Sequence, residues 1–82
     1  MKTLKKLPET KLRKEVKTRR DALATKVYEL RMSRDLSQDE LAKMCGLDRK
    51  TINRIENNHF SPNVDSVIRI TMVLGVKVSD LL

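Results

Sequence analysis

With 82 residues the chain has room for one small domain, and a hydrophobic content of 39% suits a small helical protein. The single cysteine excludes an internal disulfide, and no apolar run approaches the roughly 18 residues of a membrane span. A net charge of +7 predicts a polyanionic partner, and the two widely separated aromatic residues argue against a stacking platform for single-stranded nucleic acid. The basic start lacks the apolar region of a signal peptide, so we expect a cytoplasmic protein.

The positive charge lies mainly at the start of the chain. Residues 1–22 hold nine Lys and Arg against three Asp and Glu, whereas residues 23–82 hold nine against eight. We therefore divide the chain into a basic N-terminal extension, residues 1–21, and a folded domain, residues 22–82. The extension is either flexible and solvated or helical from Glu9 onward, after the interruption at Pro8. As a functional element it would be a phosphate-binding arm or an added docking helix.

Two capping patterns predict the first pair of helices. The T-x-x-D sequence from Thr18 to Asp21 places the start of the first core helix within a turn of it, and that helix should run to about residue 34. Its inward positions are Leu23, Val27 and Leu30. The S-x-x-E sequence from Ser37 to Glu40 predicts the start of the second helix, just ahead of an apolar pair.

Three further helices are predicted by turn and capping residues. Gly46 supplies a tight turn, and Asp48 caps a third helix over about residues 49–57. Pro62 ends the following loop, and Asn63 caps a largely apolar fourth helix that ends at Gly75. A last short turn, capped by Ser79, completes an all-α fold: a compact bundle of five helices without a strand.

The second and third helices divide their residues between a buried and an exposed face. At helical spacing, the positions that two crossing helices would bury are Leu41, Ala42, Cys45, Leu47, Ile52 and Ile55. The opposite face of the third helix presents Lys50, Asn53, Arg54 and Asn57, with Arg49 at its start. Such side chains hydrogen-bond guanine and adenine edges in the major groove of DNA, so this face predicts contact with duplex DNA.

These residues, with their flanks on both sides, resemble the phage repressor and Cro-type helix-turn-helix domain over about residues 23–82. The matching positions are Leu36-Ser37-Gln38, Glu40-Leu41-Ala42, Gly46, Ile52, Ile55-Glu56-Asn57, Pro62, Ile70 and Leu74-Gly75-Val76. The resemblance implies that the third helix enters the major groove. It then implies base contacts by Arg49, Lys50, Asn53 and Arg54.

The resemblance also implies contacts to the DNA backbone. Gln38, at the positive end of the second helix, matches a phosphate-binding position, and Asn57 resembles another. Ser37 lies near the same phosphate, although capping alone accounts for it. Arg31 and Glu56 match a pair that joins the first and third helices, so Arg31 is expected either to be structural or to contact a phosphate.

Three positions depart from the family pattern. Asp35 and Asn58 stand where glycine is frequent, and both side chains tolerate left-handed backbone. Met72 stands where relatives have a polar residue. With Val78, Leu81 and Leu82 it predicts an exposed apolar patch, and hence a two-fold dimer, unless it is merely a covered core residue.

The sequence thus predicts a sequence-specific regulator that binds double-stranded DNA, and a repressor that reads an inverted-repeat operator as a homodimer. The alternative is an antitoxin that sequesters a toxin and regulates its own promoter. An enzyme is not expected, because His59 and Cys45 fall on different elements and leave no nucleophile with a base. Cys45 is expected to be a small core residue rather than a redox sensor. No metal ligands, cofactor, small-molecule site or membrane contact are evident.

Overall fold

The computed structural model describes residues 4–59 and 61–82, which form five α-helices and no strand. The helices are α1 (Glu9–Ser33), α2 (Gln38–Cys45), α3 (Arg49–Glu56), α4 (Val64–Leu74) and α5 (Val78–Leu81). The predicted all-α, five-helix architecture is therefore confirmed. Residues 1–3 of the predicted extension and Phe60 of the predicted loop lie outside the described residues. None of the helices among the described residues combines the length and the apolar character needed to cross a bilayer.

The first helix is longer than the capping pattern predicts. It begins at Glu9 after Pro8 and runs without a break for 25 residues. The predicted start near Thr18 is wrong, because the Thr18 hydroxyl donates to the backbone oxygen of Lys14 in the preceding turn. The side chain of Asp21 accepts from Lys17, four residues earlier, in an ordinary intrahelical pair. The alternative of a helix from Glu9 onward is the one that the structure shows.

The predicted caps of the next three helices are present. The Ser37 hydroxyl accepts from the Glu40 amide, and the Glu40 carboxylate accepts from the Ser37 amide, which completes a capping box. Asp48 accepts from the Thr51 amide, and Asn63 accepts from the Ser66 amide. The cap predicted at Ser79 is wrong, since α5 begins at Val78, and the cap position is Lys77, two residues before Ser79.

The helix-turn-helix crossing lies over one small core. Ala42 is 1% exposed where α2 meets α3, so a larger side chain there would push the two helices apart. Gly46 ends α2 with φ of 72°, as the predicted turn requires. Asp35 and Asn58 also adopt positive φ, 53° and 55°, which confirms that both residues take up the left-handed backbone that was expected of them. The core holds Leu23, Val27, Leu41, Ala42, Cys45, Ile52, Ile55, Val67, Ile70, Leu74 and Leu81.

Candidate nucleic-acid interface

The third helix is anchored on one face and exposed on the other. Ile52 and Ile55 are 0% and 2% exposed, as their spacing predicts. At about 100° per residue, Lys50 and Arg54 lie almost opposite these anchors, and both are exposed. Arg49, the first residue of α3, is exposed as well. The predicted basic face therefore lies on the outside of the fold.

Charges on this face are not neutralised by the chain itself. Among residues 4–59 and 61–82, the ion pairs involve other arginines and lysines, and none includes Arg49, Lys50 or Arg54. Asp48, the N-cap of α3, lies next to this face: hydrogen bonds from the Thr51 amide and hydroxyl lower the pKa of its carboxyl group, and the charge of Lys50 lowers it further. The result is an exposed basic surface, without an ion pair to any described residue, on a short, firmly anchored helix.

A buried ion pair joins the first and third helices. The guanidinium of Arg31 donates through Nε and Nη2 to the two carboxylate oxygens of Glu56, at 2.7 and 2.9 Å, and through Nη1 to the Leu36 oxygen at 2.7 Å. The two side chains are 8% and 4% exposed. Hydrogen bonds to Glu56 raise the pKa of Arg31, and the guanidinium also lies 5.4 Å from the ring centre of Tyr28. These contacts support the structural role expected for Arg31.

Two residues expected to touch DNA extend this pair into a chain of hydrogen bonds. Gln38 Nε2 donates to Glu56 Oε1 at 3.1 Å, and Asn53 Nδ2 donates to Gln38 Oε1 at 3.2 Å. Both residues are half-buried. The amide of Asn53 is therefore held against the N-terminus of α2, at the edge of the exposed face. The sequence does not predict these two links, because their partners are 18 and 15 residues apart and no local pattern connects them.

The other predicted phosphate contacts lie at helix ends. Ser37 is exposed, and its hydroxyl oxygen is engaged in the capping box. The same box lowers the pKa of Glu40 through the hydrogen bond from the Ser37 amide. Asn57 is the C-cap of α3 and is exposed, and its amide donates to the Asn53 backbone oxygen at 2.9 Å.

The residues of the predicted apolar patch lie on α4 and at the C-terminal end of the chain. Met72 is 77% exposed, which corrects the alternative that it is a covered core residue of the single chain. Val78 and Leu82 are 38% and 52% exposed, as expected for the patch. Leu81 is not part of it: this side chain is 4% exposed and packs into the core. Leu81, the last residue of α5, thus faces the core, whereas Leu82, which follows α5, is exposed.

The thiol of Cys45 and the imidazole of His59 lie on different elements. Cys45 is a free, buried thiol whose pKa is raised by burial, and it belongs to the core as predicted. His59 is exposed in the loop after α3. Arg69 is exposed, and its guanidinium donates to the Cys45 backbone oxygen at 3.0 Å. Within the two described segments, no three His, Cys, Asp or Glu side chains are grouped so that they could hold a metal ion.

Comparison with known proteins agrees with this geometry. The helix-turn-helix family model matches residues 27–81. The control protein C.BamHI of Bacillus amyloliquefaciens is 38% identical over 58 residues, which are 70% of this chain and 72% of that protein. The cryptic phage CTXphi transcriptional repressor RstR of Vibrio cholerae is 31% identical over 58 residues, 71% of this chain and 52% of RstR.

A solved structure shows the same arrangement of helices. The hypothetical transcription factor NHTF from Neisseria superimposes with a TM-score of 0.72 at 31% identity, covering 76% of this chain and 70% of that one. The family match covers more than half of the chain and includes every helix that builds the cationic face. The chain therefore belongs to the helix-turn-helix family of DNA-binding transcription regulators.

Proposed function

We propose that this regulator is a repressor that binds an inverted-repeat operator as a homodimer and reads it with α3. The observation that carries the proposal is the exposed basic face of α3, whose side chains form no ion pair among the described residues and whose backbone is fixed by Ile52 and Ile55. A rigid helix of eight residues fits the major groove. Bound over a promoter, the dimer blocks polymerase.

Base contacts are assigned to four residues near the start and middle of α3. Arg and Lys pair with the O6 and N7 atoms of guanine, and Asn pairs with N6 and N7 of adenine, each worth about 1–3 kcal/mol of discrimination. Lys50 and Arg54 occupy the centre of the exposed face, with Arg49 at the helix start. Asn53 lies at its edge, where the hydrogen bond to Gln38 fixes the direction of the amide.

Phosphate contacts are assigned to the positive end of α2 and to the end of α3. Gln38 and the first amides of α2 form a site where the helix dipole favours an anion. Ser37 and Asn57 are exposed next to these positions. Arg31 is not included, because its three donor nitrogens already bond to Glu56 and Leu36.

The homodimer is assigned to the apolar patch of Met72, Val78 and Leu82. Exposed apolar side chains that lie together mark partner surfaces more often than solvent faces. A two-fold dimer through this patch would present two copies of α3 to half-sites about one helical turn, roughly 10 base pairs, apart. The antitoxin alternative stays a prediction, because none of the described residues forms a feature particular to a toxin partner.

Selection of bound sequences from a random pool of duplex DNA tests the proposal. We expect two inverted half-sites, and an asymmetric or absent consensus would contradict the assignment. Lys50→Ala and Arg54→Ala should each lose preference at one base pair per half-site. The matched control is Lys43→Ala, because Lys43 is an exposed lysine on α2 that pairs only with Asp39. Equal losses on selected and random DNA for Lys50→Ala and Arg54→Ala would refute base contact by α3.

The basic extension makes a separate electrostatic prediction. If its lysines and arginines bind phosphates, deleting residues 1–17 flattens the dependence of the binding constant on salt concentration, by roughly 0.9 in the logarithmic slope for each phosphate that the shortened chain no longer neutralises. An unchanged slope would show that the extension does not touch DNA. The 82-residue chain with Lys43→Ala again serves as the control for loss of one exposed charge elsewhere.

A further inference from the structure

The first half of α1 forms an arm that the other described residues leave uncovered. Every residue from position 9 to position 18 is exposed, although all ten are helical. No side chain caps the first turn of this helix. A helix of about ten residues is marginal in water on its own, so the arm, residues 9–18, gains stability from any surface that covers it.

The arm nevertheless carries the apolar stripe of a packed helix. At about 100° per residue, Val16 and Leu12 lie within about 20° of the direction of Leu23, one on either side. Leu23 and Val27 are 4% and 0% exposed because the core covers them, whereas Leu12 and Val16 are 44% and 54% exposed. The core-facing stripe of α1 thus continues beyond the point where the chain's own core ends.

The point where the core ends is marked by a groove. Arg19 Nη1 donates to the Leu82 backbone oxygen at 3.2 Å, so the arm projects past α5. Beside that contact, α1, α4 and α5 enclose a groove of about 290 Å³. Its walls include Leu23 on α1, Val64 and Ile68 on α4, and Leu82 after α5. Because Leu23 is both in the groove wall and in the stripe, the groove and the exposed stripe lie on the same side of α1.

The side of α4 next to the groove is a second unpartnered stripe. Val64, Ile68 and Met72 follow each other at intervals of four residues and are 71%, 42% and 77% exposed. Along the helix axis, Leu12 lies about 10 Å beyond Arg19, at 1.5 Å per residue. This length equals the distance between the axes of two packed helices. A helix of another molecule that packs over the groove would therefore also contact Leu12 and Val16.

We infer that the occupant is a second copy of this chain, and that each arm packs its Leu12 and Val16 stripe over the Val64 and Ile68 stripe of the other subunit. This inference rests on the proposed homodimer and adds an exchange of arms to it. Charge favours contact between an arm and the folded domain of the partner over contact between two arms. Residues 9–18 hold four Lys and Arg against two Glu, so two arms would repel each other, whereas residues 23–82 hold nine Lys and Arg against eight Asp and Glu. Asp65, exposed beside Val64, has no ion-pair partner among the described residues and offers the arm a countercharge.

Sedimentation equilibrium of the full chain tests the inference. The variant Leu12→Gln/Val16→Gln removes the stripe and keeps the charge, and Thr10→Gln/Thr18→Gln makes two neutral changes on the opposite, exposed side of the same arm. Since each change occurs twice in a dimer, we expect the stripe variant to raise the dimer dissociation constant at least about tenfold and the control to change it less than about twofold. Circular dichroism checks that both variants are folded.

The possible outcomes distinguish the exchange of arms from dimerisation itself. A wild-type dimer that the stripe variant leaves intact overturns the exchange of arms and preserves the proposed dimer. A wild-type chain that stays monomeric, free and on DNA, overturns both. A disulfide between subunits locates the contact: a tagged Val16→Cys chain mixed with a Val64→Cys chain should cross-link on oxidation, whereas Thr18→Cys with Val64→Cys should not. Equal cross-linking of both mixtures refutes the assigned face.

Discussion

Replacing Arg31 with methionine is the most direct test of the buried pair that joins α1 to α3. The substitution keeps most of the side-chain volume and removes the charge. It leaves the Glu56 carboxylate, 4% exposed, without a counter-ion, and the Leu36 oxygen without its donor. A buried carboxylate deprived of its only cationic partner is costly, so the variant should unfold far more easily than the wild type.

The size of the effect follows from the hydrogen bonds that the substitution removes. Arg31 makes two hydrogen bonds to Glu56 and one to Leu36, and removing one partner of a buried pair costs about 3–5 kcal/mol. A domain of 82 residues has a free energy of unfolding of about 4–12 kcal/mol, so Arg31→Met should remove a large part of this stability. Glu56→Leu alone leaves the Arg31 guanidinium buried without a carboxylate partner, and it should lower the free energy of unfolding by a similar amount. The double variant Arg31→Met/Glu56→Leu removes both charges and should lie within about 2 kcal/mol of the wild type.

Urea unfolding followed by circular dichroism measures all four proteins, at one protein concentration because dimerisation changes apparent stability. The expected signature is a favourable coupling of at least about 2 kcal/mol between the two sites. A loss below about 1 kcal/mol for Arg31→Met, or simple additivity in the double variant, would refute the buried-pair reasoning. The double variant also tests the alternative role of Arg31: a salt dependence of DNA binding flatter by about one unit would reveal a phosphate contact.

Three further predictions concern the caps, the turn and the thiol. Because hydrogen bonds lower the pKa of Glu40 in the fold, its contribution to stability is present above the ordinary carboxyl pKa and is lost as the pH falls through the lowered value. Glu40→Gln should therefore flatten the loss of stability in acid, as measured by urea unfolding against pH, and an unchanged slope would contradict it. Gly75→Ala should cost about 1–2 kcal/mol for left-handed backbone alone. Gly46→Ala should cost slightly more, because a Cβ there would lie 2.8 Å from Arg69 Nη1, and this flexible group can move aside only by giving up its hydrogen bond to the Cys45 backbone oxygen; equal costs in thermal melts would show that this hydrogen bond adds nothing to stability. Burial raises the pKa of Cys45, so a thiol reagent at neutral pH should label it only as fast as the protein opens, and rapid labelling of the native protein would count against a core role.

The parts of the fold that the sequence predicts are those governed by local contacts. Ser37, Asp48 and Asn63 each bond to an amide three residues later, so residue type and spacing together identify the helix starts. The burial of Ile52 and Ile55 is equally predictable from the sequence, because a short helix with a single apolar face can bury that face in only one orientation. The same local logic fails at Thr18, whose sequence fits a cap as well as a helix interior. The backbone there continues because nothing breaks the helix between positions 9 and 33.

The parts that the sequence does not predict depend on contacts distant along the chain. Leu81 and Leu82 are identical in residue type, and only the position of α5 against α1 decides that the first is buried and the second exposed. Gln38 and Asn53 both read as polar surface residues suited to DNA. Their mutual hydrogen bond appears only once α2 and α3 cross. Such polar links carry no periodicity, so residue spacing cannot reveal them.

The base contact proposed for Asn53 would depend on the core, because Asn53 is linked to it through Gln38. Glu56 holds Gln38, and Gln38 holds the amide of Asn53, whereas Arg54 takes no part in this chain of hydrogen bonds. If the carboxylate of Glu56 is removed together with the charge of Arg31, Gln38 loses its acceptor and the Asn53 amide can rotate. The double variant Arg31→Met/Glu56→Leu should therefore weaken the base preference read by Asn53 and keep the preference read by Arg54. Selection from random duplex DNA with the double variant measures both positions at once. An equal loss at the two positions would show that the whole recognition helix has moved, and no loss at either would show that Asn53 is oriented without Gln38.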